Sequence, residues 1–119
     1  MRPPKNLKEG KGIFMTTIVE TVSYKLAGGV SRDAFLAANS AMTDWLSRQK
    51  GFQYRSLSQK EDGSWIDIAY WEDKASCEAA EVSFKKEMPS TDFYMMVDPA
   101  TLEMDRSEVA TYFMAAEAA

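Results

Sequence analysis

The sequence predicts an α+β fold in which one four-stranded antiparallel sheet carries two helices on a single face. Three observations predict it. Two amphipathic helical segments each open on a capping residue, an Asp-Gly pair separates two strand-like runs, and the elements follow the order strand, helix, strand, strand, helix, strand.

Residues 14–26, FMTTIVETVSYKL, are rich in β-branched and aromatic side chains and predict the first strand. Ile18, Val22, Tyr24 and Leu26 share one face under period-2 alternation, and Val19, Thr21 and Ser23 the other. Gly28 and Gly29 end the strand. Ser31 is placed as an N-cap, with Val30 and Phe35 positioned as a hydrophobic staple. The helix runs to about Gln49, its apolar stripe made by Phe35, Ala38, Met42 and Trp45. Gly51 suits a left-handed stop. Residues 52–60 and 64–72 predict two strands joined at Asp62-Gly63, read as a tight turn with positive φ at both residues. A second helix starts near Asp73 and stops at Pro89, with Cys77, Ala80, Phe84 and Met88 as its stripe. A short helical turn follows over 90–97, a last strand over about 100–109, and an Ala-rich tail with the character of a frayed helix.

This βαββαβ order is the ferredoxin-like, or split-βαβ, arrangement. Its two helices cover one face of the sheet and leave the other bare. The bare face is not all polar, so a second copy packed on it, closing two sheets into a dimeric α+β barrel, is the physical expectation.

Composition narrows the chemistry. With 119 residues there is room for a single core. The absence of histidine removes imidazole acid–base catalysis and His-ligated haem or zinc. A lone cysteine rules out a disulfide scaffold and predicts a cytoplasmic, reducing environment. No apolar run is long enough to span a membrane. A net charge of −4 argues against a nucleic-acid partner. Residues 1–13 read as a flexible basic leader without the apolar centre of a secretory signal. Arg2, Lys5, Lys8 and Lys11 against Glu9 give it +3, which leaves −7 for the remainder. The folded domain is placed at 14–109 and a tail at 110–119.

Residues 66–72 read IDIAYWE, followed by Asp73, then Ala75, Ala79 and Ala80 in a helix that contains Phe84. This strand-Trp-acidic-helix pattern, coming after a Gly-Phe strand and an Asp-Gly hairpin, resembles the antibiotic-biosynthesis-monooxygenase-like family of dimeric α+β barrels. The resemblance covers about residues 16–109. It implies that oxygenation of a phenolic polyketide needs no metal or flavin, because the deprotonated substrate itself donates electrons to dioxygen. The quinone-forming members carry an Asn four residues before the Trp, and both line the cavity between sheet and helices. Trp71 matches that Trp, but the Asn position holds Asp67. The haem-degrading branch requires a histidine that this chain lacks.

Each candidate residue carries two readings. Asp67 is either a hydrogen-bonded carboxylate or a desolvated base that takes a phenolic proton; unlike an amide, an ionised carboxylate cannot donate to an oxyanion. Arg55 on the neighbouring strand is within reach of it. Trp71 either packs the cavity wall or positions a ring. Asn39, Tyr54 and Tyr70 are candidate substrate contacts bordering the same cavity, or a solvent-facing helix residue and two ordinary strand residues. Cys77, without an activating cation, reads as a small buried hydrophobe. Glu61-Asp62 and Glu72-Asp73 lack metal-ligand spacing, so no metal is expected from them, and the resemblance implies that no cofactor is needed.

Three functions remain. One is a cofactor-free monooxygenase-like enzyme on a small aromatic or polyketide substrate. A second is a non-catalytic small-ligand binder. The third is a stress-associated or structural dimeric module whose cleft is filled by its own side chains. An open apolar cavity walled by Asp67 and Trp71 separates the first two from the third.

Overall fold

The computed structural model describes residues 16–116. The basic leader, Phe14 at the expected start of the first strand, and the last three residues of the tail lie outside them. Four strands, β1 (Ile18–Tyr24), β2 (Phe52–Gln59), β3 (Trp65–Trp71) and β4 (Glu103–Glu108), form one sheet in the order β2-β3-β1-β4. Every neighbouring pair is antiparallel. Two long helices, α1 (Arg32–Ser47) and α2 (Lys74–Glu87), follow β1 and β3. A short helix α3 (Asp92–Met95) lies between 3-10 turns at Met88–Ser90 and Pro99–Thr101. This is the α+β, ferredoxin-like arrangement expected from the element order.

The local chemistry explains the boundaries. Ser31 Oγ accepts from the Ala34 amide, and Asp73 Oδ1 accepts from the Ser76 amide, so both long helices open on side-chain caps. Gly51 has the expected positive φ, at 83°, but sits beyond the Arg48 C-cap in the turn that enters β2. The hairpin differs from the sequence expectation. Only Gly63 has positive φ, at 88°, and Asp62 does not. The Gly63 amide donates to Lys60 O and the Lys60 amide to Ser64 O, which makes a three-residue loop closed by the left-handed glycine. Asp62 serves the turn through its side chain, accepting from the amide and hydroxyl of Ser64; these bonds hold its carboxyl below the ordinary range. The described part of the tail, 110–116, forms no helix. Its Thr111, Tyr112 and Phe113 are weak helix formers, and so short a segment cannot repay nucleation without packing.

Alternation sorts the sheet into two faces. Trp65, Asp67, Ala69 and Trp71 of β3 are buried toward the helices, opposite Tyr24, Val22, Glu20 and Ile18 of β1. The Phe35 ring of α1 sits against Tyr24, Trp65 and Phe93, with centroids 6.1, 4.9 and 5.0 Å away. Trp45 ties α1 to α2 by donating to Ser83 Oγ at 3.0 Å and meeting the Phe84 ring edge-on. Val19, Thr21, Tyr54, Ile66, Ile68 and Tyr70 point to the bare face, each half-buried. No helix among the described residues is long and apolar enough to cross a membrane.

Candidate functional site

The helices cover β1 to β3 but leave edge strand β4 uncovered, and all six of its residues are exposed. A cavity of about 570 Å³ therefore opens between the sheet and the two long helices. Its floor is Val22 and Tyr24 of β1 with Asp67, Ala69 and Trp71 of β3, and its roof is Met42, Trp45 and Leu46 of α1 with Cys77, Ala80 and Phe84 of α2. Tyr94, Met95, Leu102 and Met104 both line it and are exposed, so they form an apolar mouth. This size and lining suit an aromatic small molecule. The interior is open rather than filled by its own side chains, which counts against the structural-module expectation.

One polar cluster faces the floor. Arg55 grips Asp67 with a two-pronged bond, Nε to Oδ1 at 2.8 Å and a terminal nitrogen to Oδ2 at 2.6 Å. The side chains are 6% and 8% exposed. A third guanidinium bond, at 2.6 Å, reaches Asn39 Oδ1 on α1, and the guanidinium lies 5.7 Å from the Phe93 ring centroid. A β-bulge creates this arrangement. Phe52 pairs with Trp71, but the extra residue before Tyr54 reverses the alternation, so Tyr54 pairs with Tyr70 and Arg55 with Ala69. The bulge thereby turns Arg55 inward and Tyr54 outward. Each oxygen of Asp67 accepts one bond from Arg55, so taking a proton would forfeit the charge assistance of the pair.

Tyr24 stands beside this pair. On β1 it is the diagonal neighbour of Asp67, because Val22 lies directly opposite the aspartate. Its hydroxyl is buried and meets no hydrogen-bond partner in bonding geometry. Burial, then the nearby Asp67 charge, pushes its pKa well above the ordinary tyrosine value, with Arg55 opposing and a weak pull of the Asp67 carboxylate on the hydroxyl proton adding to the rise. The indole N–H of Trp71 is likewise buried without a partner.

A second polar cluster lines the β4 side. Arg106 bonds Glu20 and Glu81, each at 2.9 Å, and the Cys77 thiol lies 3.9 Å from Glu20. Burial first, and Glu20 next, push the Cys77 thiol up to about 11, so it remains an un-ionised, buried thiol at neutral pH. Among the described residues no group of three His, Cys, Asp or Glu side chains could hold a metal ion.

The structure thus brings Asp67 and Trp71 together on the cavity floor. Asn39 reaches them only through Arg55. Tyr54 and Tyr70 do not border the cavity: they face each other on the bare side of the sheet, with ring centroids 6.1 Å apart. Sequence reasoning passed over Tyr24 and Glu20. Glu20 carried a signal, a charge at an inward position between Ile18 and Val22. Tyr24 carried a weaker one, sharing the face that meets Asp67.

No protein-family model matches the chain, and no curated protein matches it. Solved structures do. A variant of SnoaB, a cofactor-independent oxygenase from Streptomyces nogalater, is 17% identical with a TM-score of 0.65, covering 82% of this chain and 96% of that one. A dimeric ferredoxin-like protein from an uncultured marine organism is 14% identical with a TM-score of 0.67, over 85% and 94% of the two chains. A conserved protein from Methanosarcina mazei is 14% identical with a TM-score of 0.62, over 78% and 92%. At these identities the likeness establishes the shared fold.

Proposed function

We propose that this chain is a cofactor-independent, monooxygenase-like enzyme of the antibiotic-biosynthesis-monooxygenase type, acting on a small phenolic or keto aromatic of polyketide character. The observation that carries the reading is the open, apolar cavity with Asp67 and Trp71 on one floor. Its likeness in fold to a cofactor-independent oxygenase supports it. An anthrone illustrates the chemistry. Its ring CH₂ loses a proton and the carbanion reduces dioxygen; one oxygen stays on that carbon as a quinone carbonyl, and the other leaves as water with the two hydrogens. All four electrons come from the substrate, so the reaction needs no redox partner. Asp67 takes the proton, at the cost of its charge-assisted pairing with Arg55, and Trp71 sets the plane of the ring.

The working unit is a homodimer. Val19, Thr21, Tyr54, Ile66, Ile68 and Tyr70 give the bare face an apolar centre that a second copy would cover, and a dimeric neighbour shares the fold. A specific observation favours a second reading, ligand binding without turnover: Arg55 already occupies both oxygens of Asp67.

Oxygen uptake by chelator-treated protein supplied with anthrone distinguishes the two readings. The enzyme reading predicts uptake that Asp67→Asn lowers by about 10²–10⁴ while anthrone still quenches tryptophan fluorescence. Quenching without uptake in the wild type supports the binder. Full uptake in Asp67→Asn removes the base role.

A further inference from the structure

The proposed reaction develops negative charge on a substrate oxygen across the ring from the carbon that gives its proton to Asp67, so that oxygen needs a donor of its own. We propose that the Tyr24 hydroxyl, buried on the cavity floor near Asp67 but with no protein partner in bonding geometry, is the donor that receives the ligand's carbonyl or phenolate oxygen. The inference deepens the reading above and rests on it: the preferred ligand is an aromatic carrying an oxygen acceptor on the edge that faces β1, not a bare hydrocarbon.

The geometry supports this in four ways. Tyr24 is 4% exposed and lines the cavity together with Asp67 and Trp71. Its ring is fixed by edge-on packing against Phe35, at 6.1 Å and 77°, so the hydroxyl is held in place before a ligand arrives. Buried hydroxyls nearly always find a partner, and this one meets none in bonding geometry, which leaves its proton available to a ligand. Asp67 is the nearest protein acceptor and pulls on that proton, but its two charge-assisted bonds go to Arg55 and the hydroxyl stands outside bonding geometry with it, so a ligand oxygen has only this weak interaction to displace. Burial and the Asp67 charge keep the phenol protonated at neutral and mildly alkaline pH, so it remains a donor across the working range. A neutral donor here supplies what an amide would supply at position 67.

Tyr24→Phe removes one oxygen atom and keeps the ring that packs on Phe35. The probes are anthrone and dihydroanthracene, which share a ring skeleton and differ in the carbonyl. Tryptophan quenching gives their affinities, and an oxygen electrode gives turnover. Wild type should bind anthrone about tenfold more tightly than dihydroanthracene, the worth of one hydrogen bond. Tyr24→Phe should erase that preference, leave dihydroanthracene affinity unchanged, and lower turnover of anthrone by about 10²–10³. Its melting temperature should equal or exceed that of wild type. If Tyr24→Phe keeps both the preference and the turnover, this inference is overturned and the oxygenase reading stands. If the preference is lost in Tyr24→Phe but wild type consumes no oxygen, the donor role stands and the oxygenase reading falls. Equal affinity of wild type for the two probes overturns the donor role even where the variant does not fold. Binding of neither probe overturns both.

Discussion

Replacing Arg55 by Met strands a buried negative charge. The Arg55 and Asp67 side chains are 6% and 8% exposed, so the pair is largely desolvated and Asp67 loses its compensating charge when Arg55 goes. The substitution removes two bonds to Asp67 and one to Asn39, while Met preserves most of the apolar stem. Breaking one side of a buried ion pair costs about 3–5 kcal/mol. For a folded unit of this size, about 4 °C per kcal/mol converts that to a fall of roughly 12–20 °C in melting temperature. Thermal unfolding at pH 7 followed by circular dichroism reads it directly. The double variant Arg55→Met with Asp67→Leu should recover most of the loss, because removing both charges also removes the desolvation penalty. A single variant within about 4 °C of wild type would show that the pair is solvated in solution. A double variant no more stable than the single would show that the loss comes from packing against Phe93 rather than from the stranded carboxylate.

Three further outcomes follow from other parts of the molecule. Gly29 and Gly51 have nearly the same φ, 84° and 83°, but a β-carbon at Gly29 meets nothing, whereas at Gly51 it collides with Ser76. Gly29→Ala should therefore cost only the left-handed strain, about 1–2 kcal/mol, and Gly51→Ala an added ~1–3 kcal/mol of overpacking; equal denaturation midpoints would refute the close approach. Burial raises the Cys77 thiol to about 11 in the fold, above its unfolded value, so the native state holds the proton longer. The stability this gives is present below the unfolded pKa and declines as pH rises toward 11, and Cys77→Ala should flatten part of the decline; a decline that Cys77→Ala leaves unchanged would refute this. Ile68→Lys places a charge at the centre of the bare sheet face and should convert a dimer to a monomer by light scattering, leaving the helix-side packing intact; a wild type that is already monomeric contradicts the assembly proposed above.

The elements were legible because their signals are local. Ser31 and Asp73 cap, stripes of period 3.6 mark both long helices, and alternation in β3 sends Trp65, Asp67, Ala69 and Trp71 to one face whatever surrounds them. Alternation likewise put Asp67 and Trp71 on one wall. At β2 the expected reach of Arg55 to Asp67 holds, but Tyr54 faces away from the cavity, because one bulged residue exchanges the two faces and no residue type near Gln53 announces it. The Asp-Gly turn was located correctly but its length was not, because a two-residue and a three-residue loop both accept glycine at the left-handed position. Tyr24 escaped notice because an aromatic on a strand reads as core. What distinguishes it is a hydroxyl without a partner in bonding geometry that also borders the cavity beside Asp67, a property of the packed fold.

The central claim is that the cavity lets an aromatic substrate reduce dioxygen with its own electrons. Turnover of anthrone by chelator-treated protein under isotopically labelled dioxygen in ordinary water tests it most directly. The account predicts one labelled oxygen atom in each quinone molecule and the other in water, one dioxygen consumed per substrate, and a rate that scales with protein concentration. Quinone formed at the protein-free rate, or a protein-dependent product that carries no label, would contradict it.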